Sequence, residues 1–378
     1  SRGLLLTALL LLAALPLATC GGGPAASSSG VSGVSGISGV SGGSGASGGQ
    51  RPTAERHERH LSLYIWTNYL PAEVAADFEH RTGITLDIDT YSANEALLDK
   101  LQSEVSGYDL VVPSDYMLKI LIPQGLVQPL DHARLPHFAN LDPHLLDRRY
   151  DPGNRHSIPY LWGTTGLGYD KTKVQPPPDS WQALFDPRYA GRILMLDDVR
   201  EAFGAALRLD GRSLNERDPE ALRRAARRLK DQKRLVRTYN SADFANLLAA
   251  GDVDLAQGYN GELAKVVALA PRRLAYVVPK EGGTLWIDNL ALAKSSRHTD
   301  AAYAFLDYLL LPEVAARIVN GVHYASANRA AWPLVDPRLR NDPAIYPPQP
   351  ILDRCELMED LGATTPLLDQ LWTEIKAQ

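Results

Sequence analysis

From about residue 60 to the C-terminus, short apolar runs alternate with amphipathic segments, and no other feature restricts the fold as strongly. Residues 61–65 read as a strand. Residues 71–81 read as a helix, with Pro71 at its start, Val74 and Phe78 on one face, and Gly83 just past its end. Ile84, Leu86 and Ile88 alternate with Thr85, Asp87 and Asp89, the pattern of a half-buried strand. Helix, strand and helix are then expected at 94–105, 109–112 and 115–122. The alternation resumes with a strand at 193–196 and a helix at 200–207. Asp218 should cap a further helix whose buried stripe is Leu222, Ala225, Ala226 and Leu229. Residues 253–257 predict a strand, and 300–310 and 313–319 predict helices. This succession implies an α/β fold with a mostly parallel sheet covered by helices. About 320 residues of it exceed one ordinary core, so two lobes are expected.

The first 56 residues differ in kind. Arg2, an apolar run at 4–15 and small residues up to Cys20 describe a secretory signal over residues 1–20, a short anchor helix being the plainer alternative. The run falls short of the roughly 20 residues of a membrane span. Residues 21–56 form a Gly/Ser-rich tether with too little apolar surface to fold and a mean span on the order of 30 Å. Two motif matches here carry nothing. Gly45-Ala46-Ser47-Gly48-Gly49 lacks the strand and helix that a nucleophile elbow needs, and His57-Glu58-Arg59-His60 is one residue short of zinc-protease spacing.

Charge and cysteines narrow the function further. With 39 basic and 44 acidic residues the net charge is −5, which lacks the basic excess of a nucleic-acid binder. Two cysteines, Cys20 and Cys355, exclude a disulfide framework, and Cys355 is expected to be a buried structural thiol. The nine histidines show no metal-ligand spacing. The run Arg223, Arg224, Arg227, Arg228 and Lys230 reads as a solvated helix face, with a protein-docking surface as the alternative.

Ligands of open α/β sheets bind beyond the carboxyl ends of the strands. Here those positions hold Trp66, Thr67 and Tyr69; Ser114, Asp115 and Tyr116; Asp197, Asp198 and Glu201; and Tyr259 with Glu262. Trp286 and Asp288 add another aromatic beside an acid, and Tyr324 lies in a late loop. Aromatic faces attract cations and pack on methylenes, and carboxylates accept charge-assisted hydrogen bonds from ammonium groups. A convergent set of this kind suits an organic polycation with an aliphatic backbone. Each residue also has a plainer explanation: Asp198 and Glu201 could cap a helix, and Trp66 and Trp286 could be core aromatics.

Several ordered motifs resemble the periplasmic polyamine-binding proteins that feed spermidine/putrescine ABC importers. They are Trp66-Thr67-Asn68-Tyr69, Asp109-Leu110-Val111-Val112-Pro113-Ser114, Asn140-Leu141-Asp142-Pro143, Ile158-Pro159-Tyr160-Leu161-Trp162-Gly163, Pro279-Lys280-Glu281-Gly282-Gly283 and Tyr324-Ala325-Ser326-Ala327-Asn328. The resemblance implies a two-lobed periplasmic-binding-protein fold that hinges shut on its ligand, with lobe one at 57–166 and 287–334 and lobe two at 167–286 and 335–378. It places Trp66, Tyr69, Ser114, Tyr116, Asp198, Glu201, Ser241, Tyr259, Trp286, Asp288 and Tyr324 on ligand contacts, and it implies a charged amine at Asp288 and another at Asp198 and Glu201. Tyr259 stands where the family has a Trp, while Trp286 matches the spermidine receptors. Glu262 and the Asn328 and Tyr346 regions match the putrescine type, and Met358 takes the place of a Gln of spermidine receptors. Putrescine and spermidine both stay open.

Leu17-Ala18-Thr19-Cys20 resembles a lipobox, with Thr19 in place of Gly or Ala. The resemblance thus implies a monomeric periplasmic receptor, tethered to the membrane through Cys20, that serves an ABC permease and needs no cofactor or metal. Other readings are a secreted two-carboxylate hydrolase using Asp198 or Glu201 opposite Asp288, a ferric-ion receptor of the same fold, and a receptor that presents its ligand to a sensor.

Overall fold

The computed structural model describes residues 59–103 and 107–377. The expected signal, Cys20, the tether and both discarded motif starts lie outside these residues. Strand β1 (His60–Trp66) leads into helix α1 (Ala72–Thr82), which buries Val74 and Phe78 completely. Gly83 ends the helix in the left-handed region at φ 68°, donating its N–H to the Glu79 carbonyl at 2.8 Å. Strand β2 (Thr85–Tyr91) pairs parallel with β1, as β3 (Leu110–Val111) does on the other side. β2 departs from the half-buried expectation: only Tyr91 is buried and Ile88 is 40% exposed. It lies at the sheet edge, where neither face is fully covered.

The sheet is mixed, not mostly parallel. Its strand order is β2-β1-β3-β9-β4-β7-β5-β6, and β8 (Leu274–Val277) pairs with β4 off this path. Parallel pairs occupy the two wings, where β5 (Ile193–Met195) pairs with β6 (Val236–Tyr239) and β7 (Leu255–Tyr259). Between them β4 (Ser157–Asp170) and β9 (Thr284–Leu292) run antiparallel to each other and to their outer neighbours. β4 pairs with β9 from Ser157 to Thr164 and with β7 from Thr165 to Tyr169. One strand therefore runs through both wings. Its Pro159, Gly163, Gly166 and Gly168 lower strand propensity, which hides it from a pattern reading.

Each wing has its own core, so the molecule has two lobes. Leu61, Leu63, Phe78, Phe305, Leu306 and Ile318 pack beneath α8 (Thr299–Leu309) and α9 (Pro312–Val322). Ile193, Met195, Phe203, Leu222, Leu229 and Leu371 pack beneath α4 (Val199–Leu209), α5 (Pro219–Lys233) and α10 (Thr365–Lys376). Helices α2 (Asn94–Gln102), α3 (Asp115–Leu121), α6 (Phe244–Ala250) and α7 (Asn260–Leu269) complete the larger helices. Asp218 caps α5 by accepting the Glu220 N–H, and the expected stripe is buried. The basic residues of α5 face outward, where Arg228 pairs with Asp210 at 2.5 Å and Lys230 with Glu374 at 2.8 Å. Cys355 is only half-buried, contrary to expectation, and sits at a turn with Sγ 3.5 Å from the Ile351 carbonyl.

Candidate functional site

Residues at the carboxyl ends of β1, β3, β5 and β7 line one cavity. Of the fifteen side chains placed at strand ends or ligand contacts from the sequence, fourteen line it; Asp197 instead pairs with Lys376 at 2.7 Å. Tyr91, Ser92, Asn94, Ala242, Phe244 and Thr284, which sequence reasoning did not select, line it too, as does Met358. Tyr91 and Asn94 sit at the end of β2 and the start of α2, and a strand-end rule applied to the edge strand would have found them.

A left-handed turn residue and one strand glycine shape the walls. After β1, Asn68 adopts φ 60°, a left-handed conformation that Asn tolerates, and this turn carries the chain from Trp66 to Tyr69 on the same wall. Gly163 of β4 lies so close to Trp286 and the Asn260 amide that any Cβ there would collide with both. The rings then touch in sequence. Tyr69 and Tyr324 have centroids 5.2 Å apart, Tyr324 and Trp286 5.2 Å, and Trp286 and Tyr259 6.2 Å, the last two pairs edge-to-face. Outside that series, Trp66 packs on Tyr91 with ring centroids 4.6 Å apart and donates Nε1–H to the Val112 carbonyl at 2.9 Å. Burial pushes the hydroxyls of Tyr69, Tyr116, Tyr259 and Tyr324 well above their ordinary range, so these rings stay neutral.

Acids stand at separate points along this wall. Asp288, 5% exposed on β9, accepts the Ser114 hydroxyl on Oδ1 and the Tyr69 hydroxyl on Oδ2, both at 2.6 Å. Burial raises its carboxyl to about 6, against the pull of those two hydrogen bonds. Glu201, in the first turn of α4, accepts the hydroxyls of Thr165 and Thr284 at 2.8 Å each. Burial, and then the neighbouring Asp198 charge, push it up to about 8. Asp198 caps α4, with Oδ1 taking the N–H groups of Arg200 and Glu201 at 2.8 and 3.0 Å. The cap explanation for Asp198 is therefore realised; its Oδ2 has no hydrogen-bond partner among the described residues, and Asp198 itself lines the cavity. Burial raises its carboxyl as well, and that of Glu262.

Asp115 lines the cavity but turns inward. Its carboxylate accepts the N–H of Tyr116 at 2.6 Å and of Ile287 at 3.3 Å, joining α3 to β9. Burial raises it to about 8, with the Asp288 charge as a lesser cause. One cation missed in the sequence stands behind the Asp198 end. Arg200 is buried, gives its guanidinium hydrogen bonds to the Glu359 carbonyl and Asn215, and lies 5.7 Å from the Tyr116 ring. Two wall atoms, Ser241 Oγ and Trp286 Nε1, are buried without a hydrogen-bond partner among the described residues. An ammonium entering the cavity can donate to Ser241 Oγ, whereas the Trp286 Nε1–H is itself a donor and needs an acceptor.

Chemically, the cavity presents pre-oriented, partly protonated carboxylates joined by neutral aromatic faces. It suits a flexible cation with separated charges. Both oxygens of Asp288 and both of Glu201 accept hydroxyl hydrogen bonds, which fix the two carboxyls in place. Among the described residues no cluster of three His, Cys, Asp or Glu side chains could hold a metal ion.

Comparison with known proteins agrees with this geometry. The chain is 36% identical over 319 residues to the spermidine/putrescine-binding periplasmic protein of Escherichia coli K12, covering 84% of this chain and 91% of that one. It is 34% identical over 348 residues to the putrescine-binding periplasmic protein PotF of the same organism, covering 86% and 93%. The solved Tp0655 (TpPotD) lipoprotein of Treponema pallidum superposes with a TM-score of 0.76 at 27% identity, covering 84% of this chain and all of that one. Residues 73–347 match the model of one family of binding proteins, not of enzymes. The chain belongs to the bacterial extracellular solute-binding protein family.

Proposed function

We propose that this protein captures a polyamine, putrescine or spermidine, outside the cytoplasm and delivers it to the permease of an ABC importer. One observation carries the reading: Asp288 and the Asp198/Glu201 pair stand on the wall of a single cavity whose lining also holds eight aromatic side chains. An aliphatic polyammonium matches that pattern, with each ammonium at a carboxylate and its methylenes against the rings. The relatives named as spermidine- and putrescine-binding support the same ligand class.

In this reading the lobes are 57–166 with 287–334 and 167–286 with 335–378. The partner switch within β4, from β9 to β7 between Thr164 and Thr165, supports a hinge at that boundary. Cys20 carries a lipid, the tether lets a monomeric receptor reorient near the membrane, and the T. pallidum lipoprotein supports that anchoring. A thermal-shift panel of putrescine, cadaverine, spermidine, spermine and agmatine tests the ligand class. A ligand that binds only the folded state must raise the melting temperature, and a flat response to the whole panel rejects the proposal.

A further inference from the structure

We infer that Gly261 is a positioning residue: its missing side chain lets Tyr324 stand where it does, and so sets the width of the cavity for a methylene chain. The inference rests on the polyamine reading and deepens it. Gly261 is buried in the first turn of α7 and contributes nothing to the cavity lining. Tyr324 does line the cavity, is 4% exposed, and follows α9 in the other wing. A Cβ at position 261 would stand 2.3, 2.4 and 2.6 Å from Cδ1, Cε1 and Cγ of that ring. Non-bonded carbons approach to about 3.5–4.0 Å, so the ring and a methyl group cannot both occupy these places.

The backbone on the glycine side is held. Asn260, the preceding residue, is fully buried; its Oδ1 accepts the Thr164 N–H of β4 at 3.2 Å, and its Nδ2 donates to the Ala344 carbonyl at 2.8 Å. Further along α7, Leu263 and Val266 pack with Leu194 and Phe244. An added methyl must therefore be absorbed by Tyr324. Tyr69 and Trp286 flank that ring, each with its centroid 5.2 Å away, and both line the cavity. A displaced Tyr324 disturbs the aromatic run against which the methylenes of a polyamine would lie. The same device recurs at Gly163, where a Cβ would stand 2.4 Å from Trp286 Cζ2. Backbone conformation does not require glycine at 261: its φ lies outside the left-handed region. Alanine is also the better helix former, so a role in α7 alone would favour alanine. Cavity width bears on the cross-section of the chain, which linear polyamines share, and not on their number of charges. Gly261 should therefore govern putrescine and spermidine alike.

The test is calorimetry and thermal melting of the full chain, Gly261→Ala, Tyr324→Ala and the double variant. Gly261→Ala should bind putrescine and spermidine about 10-fold more weakly, by similar factors, and should melt below the wild type without ligand. Once Tyr324→Ala has removed the ring, adding Gly261→Ala should lower the melting temperature no further, because the methyl enters the space the ring leaves. A double variant that folds where Gly261→Ala alone does not supports the inference too. Wild-type affinity in Gly261→Ala, or the same drop in melting temperature with and without the Tyr324 ring, overturns it. A wild-type protein that binds neither polyamine overturns the functional reading itself, while the melting cycle still reads the contact, so the two failures are distinguishable.

Discussion

Asp288 and Glu201 are the same device built twice. Each is a buried carboxylate whose two oxygens accept two hydroxyl hydrogen bonds, from Ser114 and Tyr69 at one and from Thr165 and Thr284 at the other. Burial raises Asp288 to about 6; burial first, and the adjacent Asp198 charge second, raise Glu201 to about 8. Near neutral pH the solitary acid is mostly ionised, and the paired end holds back a proton. The comparison teaches that the two ends play different parts. Asp288 presents a standing charge to the first ammonium, and the Asp198/Glu201 end becomes a full anion only when a second cation displaces its proton.

The largest effect should follow removal of the standing charge. Asp288→Ala should weaken every polyamine by about 100-fold or more, in line with the 2–5 kcal/mol lost when one member of a buried charge pair is removed. Calorimetry reads this directly, and unchanged affinity would break the comparison at its first end. Glu201→Gln, which keeps an acceptor for one threonine, should cost about 10-fold, because Asp198 remains to receive the amine. Equal losses at the two sites would mean that the ends are not distinct.

Smaller effects sharpen the picture through pH. Both carboxyls are raised above their ordinary values near 4, so from about pH 4 upward the folded protein holds protons that the unfolded chain releases. Stability of the ligand-free protein should therefore fall as pH rises, through about 6 for Asp288 and about 8 for Glu201, and level off above that. Glu201→Gln should melt higher than the wild type at pH 8.5 and no higher at pH 5. The ligand favours the ionised acids, so its affinity should rise over the same window, and a melting series with and without spermidine reads both trends. The smallest effect is expected for Tyr259→Trp. It extends an aromatic face without altering charge and should change affinity by less than about 3-fold.

The sequence and the structure agree where function depends on residue type at a strand end. Trp66, Ser114, Asp198 and Tyr259 follow strands that the apolar runs reveal, and the strand-end rule brings them together without coordinates. Agreement fails where tertiary context decides. β4 is invisible to periodicity because its glycines serve close packing, Gly163 against Trp286 being the clearest case. The mixed sheet follows from β4 and β9, strands that pattern alone did not mark. Ile88 alternates like a buried residue and is exposed, because alternation does not say whether a strand sits at an edge. Asp115 was grouped with the ligand contacts by position, while its carboxylate is taken by backbone amides that only the fold brings near.

The most direct test of the account is calorimetric titration of the full chain with spermidine at pH 7 in two buffers of different ionisation enthalpy. The account predicts saturable one-to-one binding, with a heat that differs between the buffers because protons leave the Asp198/Glu201 end as the ligand enters. Saturable binding with the same heat in both buffers would contradict the asymmetry of the two ends, and no binding at all would contradict the polyamine site.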